Sequence, residues 1–207
     1  MWKKKLVWKN HGRKSRLIGI AGTGNGVGCT HFSIMLLNYL AGFLRRRAVL
    51  LEWNGSGDFA RLEEVCNGSC GEEKLFCVLD AAYYKNAGQG ELADAYEKGY
   101  EDILIDFGNM EEGDWKEFLR CEMQFIIGSF SEWQQECFRE FELTRQPVKR
   151  KSWVSLAVFG SEETRKEFLR RYRLKVERIP FSADAFSVTT ECRDFFDILL
   201  EKNGYQE

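Results

Sequence analysis

The chain has 207 residues, enough for one domain with a sizeable core. Its 30 basic residues against 32 acidic ones leave a net charge of −2, which excludes a global field drawing it to nucleic acid or membrane. With 44% hydrophobic and 14% aromatic residues it is too apolar to be disordered, and neither a signal peptide nor a membrane span is expected.

Residues 1–16 carry Lys3, Lys4, Lys5, Lys9, Arg13, Lys14 and Arg16 with no acidic residue among them. The segment reads either as a solvated tail or as a basic arm, with Trp2 and Trp8 as anchors, for a partner or for peripheral membrane contact. Seven cysteines, an odd number without a secretory signal, suit reduced thiols in a cytoplasmic protein. Cys66, Cys70 and Cys77 lack a fourth ligand at a fitting distance, so zinc is not expected.

From residue 17 to 207 the pattern is one domain of alternating strands and helices. Leu17–Ala21 is a short apolar run that ends in a glycine loop over residues 22–28. A helix follows from Thr30 to about Arg45, with Phe32, Met35, Leu36, Tyr39, Leu40 and Phe43 at helical spacing. Ala48–Trp53 fits a buried parallel strand, stopped by Asn54–Gly57. The next stretch reads as a helix near Phe59–Val65, a strand at Leu75–Leu79 and a helix near Glu91–Lys98. Strands at Asp102–Phe107 and Met123–Ile127 flank a short helix at Trp115–Leu119. A helix from Glu132 to Leu143 closes at Gln146-Pro147. Strand, helix and strand recur at Ser152–Phe159, Glu162–Tyr172 and Val176–Ile179, and Thr190–Lys202 is a last helix after Pro180. This alternation specifies a three-layer α/β fold, a mostly parallel sheet with helices on both faces.

The glycine loop carries the chemistry. The dinucleotide pattern G-x-G-x-x-G fails, because Val27 follows Gly22 and Gly24 at the third position and Cys29 follows Gly24 and Gly26. The P-loop pattern G-x4-G-K-[ST] keeps Gly28 and Thr30, while Thr23 replaces its first glycine and Cys29 its lysine. Glycines at 24, 26 and 28 are expected at positive φ, turning backbone N–H groups inward beneath a helix N-terminus. The missing lysine removes a contact of about 1.5–3 kcal/mol, which binding could survive. Transition-state stabilisation could not, since the cation acts there on developing charge. A phosphatase role for Cys29 fails at Met35, where that loop needs arginine.

The segment Ile18–His31, its helix, and Ala48–Asn54 resemble the deviant P-loop ATPases of the MinD/ParA group, and within it the TadZ/CpaE-like branch of pilus assembly and localisation. The resemblance follows the order of elements over nearly the whole chain. It implies a nucleotide site at Thr23, Gly24, Asn25, Gly26, Val27, Gly28, Cys29, Thr30 and His31, with Phe181 near the base. It implies ATP and magnesium as cofactors, the metal held by Thr30, Glu52 and Asp106. Gly24 and Cys29 stand at the group's two lysines and Asn54 at its water-orienting aspartate, so weak or absent hydrolysis is implied. An adaptor or localisation factor in pilus or secretion assembly follows. A nucleotide-free interaction scaffold and a slow ATPase completed by a partner are the alternatives. A homodimer or partner protein is implied, with Trp133, Phe138 and Phe141 or Phe186, Phe195 and Phe196 as an interface or, at this spacing, core. Nucleic acid is not expected.

Overall fold

Apolar runs without polar alternation must be covered on both faces, and the central strands of this chain are used in that way. The computed structural model describes residues 15–111, 113–144 and 153–205. Its strands are β1 (Arg16–Gly22), β2 (Ala48–Glu52), β3 (Leu75–Val78), β4 (Ala81–Tyr84), β5 (Asp102–Asn109), β6 (Met123–Ser129), β7 (Trp153–Val158) and β8 (Glu177–Arg178). They form one sheet in the order β3-β4-β2-β5-β1-β6-β7-β8, parallel throughout except where β3 meets β4.

Side chains alternate across this sheet into two cores. Ile18, Ile20, Leu50, Leu104 and Phe125 pack on Phe32 and Leu36 of α1 (Cys29–Asn38) and Phe196 of α7 (Thr190–Lys202). Leu17, Val49, Ile103, Ile105 and Ile126 face the other way. They meet Leu92 of α3 (Gln89–Glu97), Phe118 of α4 (Trp115–Phe118) and Phe141 of α5 (Gln135–Thr144). Two further helices, α2 (Asp58–Asn67) and α6 (Glu162–Tyr172), complete the layers.

Three local expectations change. The first helix is α-helical only to Asn38, then widens into a π turn over Tyr39–Phe43 in which the Leu44 amide reaches the Tyr39 carbonyl at 3.0 Å. Where one strand was expected at Leu75–Leu79, a hairpin folds back on itself and sets β4, all four residues buried, beside β2. Its turn holds Leu79 at φ 54°, a conformation that no Gly or Asn signalled. Of the two aromatic stripes, Phe138, Phe141 and Phe196 are core and Phe186 and Phe195 pack against it, while Trp133 stays 78% exposed. The Gln146-Pro147 turn, Ser152 and residues 1–14 of the basic arm lie outside the described residues.

At the N-terminal end of β1 the chain is fastened to its own C-terminus. Arg16 lies 3.8 Å over the Tyr205 ring, and Tyr205 Oη donates to the buried Asp102 carboxylate at 2.9 Å. Arg46 Nε reaches the same oxygen at 2.5 Å. Arg16 therefore sits at the end of the sheet opposite the glycine loop. Among the described residues no helix is long and apolar enough to cross a membrane.

Candidate functional site

Parallel strands deliver their C-terminal ends to one edge, and the order of this sheet reverses about β1, the place where open α/β sheets bind ligands. The loop after β1 opens there. Its start is pinned by the Thr23 amide on the Ile127 carbonyl at 2.9 Å and by the Met110 amide on the Gly22 carbonyl at 2.9 Å. A Cβ on Gly22 would come within 2.8 Å of Val27, so the turn closes only around glycine. Gly26 and Gly28 adopt φ 72° and 83°, as expected, but Gly24 does not enter the left-handed region. A side chain there would meet nothing within 4 Å.

Gly28 caps α1 without any side-chain hydrogen bond, so the amides at the start of the helix keep their capacity for an acceptor. They open on a cavity of about 570 Å³. Gly24 to His31 form its near wall, and Trp53, Asn54, Ser56, Asp58, Gly108 and Asn109 stand among the residues opposite. Among the described residues neither lysine nor arginine lines it. Thr23 is buried behind the loop and Asn25 is exposed at its tip.

Beneath the loop, the Cys29 thiol donates to Asp106 Oδ1 at 3.1 Å, and the Gly108 amide donates to the same oxygen at 2.9 Å. Burial pushes the thiol well above its usual pKa, and the neighbouring carboxylate adds to the shift, so Cys29 is a donor and not a nucleophile. Burial also raises Asp106, against the pull of the nearby Thr30 hydroxyl, the Gly108 amide and Cys29. Among the described residues Asp106 Oδ2 has no hydrogen-bond partner.

The expected metal-side role of Glu52 meets a different arrangement. Its carboxylate accepts from the Phe59 amide at 3.1 Å, the Asn86 amide at 2.9 Å and the Ser56 hydroxyl at 3.0 Å. Both oxygens are thus engaged in holding the start of α2 and the end of β4. Asn54 is engaged as well, donating to the Asp106 carbonyl at 3.3 Å and accepting from the Ser56 amide at 2.9 Å.

Across the loop lies a second cavity, of about 430 Å³. It shares Gly26, Gly28 and His31 with the first and adds Phe32, Met35, Phe159, Arg178, Pro180 and Phe181. Phe181 is 80% exposed and Phe159 55%. Phe159 sits at φ 57°, a strained position for an aromatic residue, in a turn completed by Gly160. The His31 Nε2 pairs with the Ser182 carbonyl at 3.0 Å, so that nitrogen carries the proton and ties α1 to the loop after β8.

The structure therefore brings together the loop, Thr30, Asp106 and, on the far side of His31, Phe181. It adds residues that sequence reasoning passed over. Gln134 donates to the Asn25 carbonyl at 3.1 Å from 109 residues away, a contact with no local signal. Gly108 has φ 61°, and a Cβ on it would stand 2.7 Å from Asn54; a glycine two residues beyond a strand-end aspartate was the available clue. Phe159 was expected as the last residue of a strand; the strand stops at Val158 and Phe159 turns at positive φ into the cavity wall.

Sheet order, switch-point loop and cavity define the P-loop NTPase-like class of α/β fold. Within that class the likeness is to solved ParA and MinD structures. A plasmid partition protein from Borrelia burgdorferi bound to AMPPNP superposes with TM-score 0.65 at 13% identity, covering 92% of this chain and 100% of that one. The septum site-determining protein MinD of Pyrococcus horikoshii with Mg-ADP gives 0.60 at 12%, covering 92% and 96%. A MinC:MinD cell division complex from Aquifex aeolicus gives 0.58 at 14%, covering 91% and 89%. No protein-family model matches the chain, and no curated protein does.

Proposed function

We propose that this chain is a nucleotide-binding protein of weak or absent hydrolysis, acting as an adaptor or localisation factor. The observation that carries the reading is the meeting of two unlike cavities across one glycine loop, an amide-lined one suited to phosphate and a ring-lined one suited to a base. Thr23 to His31 hold the phosphates and Phe181 with Phe159 the base. The AMPPNP and Mg-ADP bound by the solved neighbours support ATP and magnesium as the ligand class.

Thr30 and Asp106 fit a magnesium ion, since Asp106 offers a buried oxygen with no other partner beside the Thr30 hydroxyl. Glu52 fits it less well, because main-chain amides already occupy its carboxylate. Magnesium would neutralise phosphate charge there. Hydrolysis lacks its parts. Cys29 offers a neutral thiol where a cation belongs, and Asn54 cannot take a proton from water.

In this reading a bound nucleotide orders the exposed face around Phe181, Phe159 and Trp133, which meets a second copy or another protein. The MinC:MinD complex is the neighbour that supports such a partnership. The likeness of the loop to the TadZ/CpaE-like branch points to pilus or secretion assembly in the cytoplasm, with the arm 1–16 as the peripheral membrane contact. Titration calorimetry with ATP and magnesium beside a turnover assay tests it. Binding without turnover is expected. Phe181→Ala should weaken binding by about 1–3 kcal/mol through lost stacking and leave the melting temperature of the free protein unchanged. Turnover near one per second, or no thermal shift with any nucleotide, would end the proposal, the latter in favour of a nucleotide-free scaffold.

A further inference from the structure

The glycine loop is fastened at its ends by main-chain bonds and at its tip by a side chain from another element. Thr23 and Gly22 are held to β6 and to the residue after β5, and Val27 is buried in the core. Gly24, Asn25 and Gly26 stand out between them, with Asn25 and Gly26 exposed. Among the described residues, the one side-chain hydrogen bond that this tip receives comes from Gln134 Nε2, which donates to the Asn25 carbonyl at 3.1 Å. Gln134 lies in the turn between β6 and α5, and its amide is oriented from behind. Ser131 Oγ donates to Gln134 Oε1 at 3.1 Å, Ser129 Oγ lies 2.9 Å from Ser131 Oγ, and the Ser131 amide donates to Ser129 Oγ at 3.1 Å. Ser129 and Ser131 are both buried. With the oxygen of Gln134 taken up by a hydroxyl, its nitrogen is the atom that faces the loop. Hydroxyls and amide thus form a chain in which each bond strengthens the next.

We infer that Gln134 is the positioning residue of the phosphate loop: by holding the Asn25 carbonyl it turns the Gly26 N–H toward the cavity before a ligand arrives. The inference rests on the nucleotide reading above and names what presets that site. A trans peptide is planar, and its C=O and N–H point in opposite directions. Gln134 lines neither cavity, while Gly26 lines both. Drawing the Asn25 oxygen to Gln134 therefore directs the N–H of the same peptide away from Gln134, to the side where the cavities open. Glycines lose more freedom on ordering than any other residue, so an untethered tip with Gly24 and Gly26 would spread over conformations in which the amides do not converge. Affinity would then fall with the fraction of time the loop spends in the competent one. Gln134 acts through the main chain of the loop and needs no contact with the ligand.

Titration calorimetry of the full chain with Mg-ADP and Mg-ATP, in the wild type and in Gln134→Ala, Gln134→Glu and Gln135→Glu, tests the inference. Gln134→Ala should weaken both nucleotides by about three- to tenfold, the scale of one neutral hydrogen bond. Gln134→Glu sets a carboxylate oxygen against the Asn25 oxygen and should weaken them at least about tenfold. Gln135→Glu adds the same charge one residue on, at the first residue of α5, outside the bond to Asn25, and should change affinity less than about threefold. Thermal melts of the free proteins should stay close together, because Gln134 and Gln135 are both partly exposed. Backbone nitrogen relaxation gives a readout without nucleotide: the Gly26 amide should lose order in Gln134→Ala while the amides of β1 keep theirs. Unchanged affinity in Gln134→Ala, or equal losses in the two glutamate variants, would overturn the inference and leave the nucleotide reading standing. Failure of the wild type to bind either nucleotide would remove that reading. The relaxation measurement then decides alone whether Gln134 holds the loop, and an unchanged Gly26 amide would overturn it.

Discussion

Asp102 and Asp106 stand four residues apart on β5, each fully buried, yet their surroundings are opposite. Asp102 is met by Arg46, by the Tyr205 hydroxyl and, at 3.7 Å, by Arg16. Asp106 is met by a thiol, one amide and the nearby Thr30 hydroxyl, with no cation beside it among the described residues; each carboxylate has one oxygen without a hydrogen bond, but that of Asp102 faces Arg16. A buried carboxylate surrounded by cations fastens the fold, here joining β1, β5 and the C-terminus. One left without them weakens the fold and persists where a ligand supplies what is missing. Two positions on a single strand thus separate structure from binding.

The largest effect should come from breaking the fastened end. Asp102→Ala leaves Arg46 and Tyr205 facing a void, and urea unfolding should show a loss of about 3–5 kcal/mol. Binding by the fraction still folded should be unchanged, because the loop lies at the far end of β1.

Asp106→Asn should cost less than about 1 kcal/mol, since it removes a carboxylate whose charge burial already disfavours. The sign of its pH dependence sharpens the contrast. Asp106 binds its proton more tightly folded than unfolded. Its contribution is complete below the ordinary carboxylate pKa and is lost as pH rises through the raised folded value. Wild-type stability should therefore fall relative to Asp106→Asn across that window, and unfolding curves at a series of pH values would show it. A wild-type stability that rose relative to Asp106→Asn with increasing pH would contradict the geometry described. The magnesium-dependent part of nucleotide binding should also vanish in this variant.

The smallest effect separates two glycines of one loop. Gly24→Ala places a methyl in open space at an unstrained φ and should be neutral or stabilising by about 0.4–1 kcal/mol. Gly22→Ala, whose Cβ would press on Val27, should instead cost about 1–3 kcal/mol. Thermal melts of the pair would reveal whether the turn is as tight as the Gly22 contact requires.

The order of elements, the parallel sheet and the site of the loop were legible in the chain alone. Buried strands, glycine turns and helical spacing are local patterns, and Gly28, Thr30 and Asp106 fall where such patterns end. The loss of the lysine at Cys29 needed no coordinates either. The hairpin that made β4 was not legible, because Ala81–Tyr84 is short and its turn at Leu79 breaks the usual chemistry. Only the tertiary structure decided that Glu52 faces main-chain amides, that Cys29 bonds to Asp106 and that Gln134 steadies Asn25. It alone decided that Arg16 guards the opposite end of the sheet. These contacts join residues brought together by strand order and by the direction of crossovers. Burial, charge and hydrogen bonding at a site depend on what the fold sets beside it, and spacing along the chain holds no record of that.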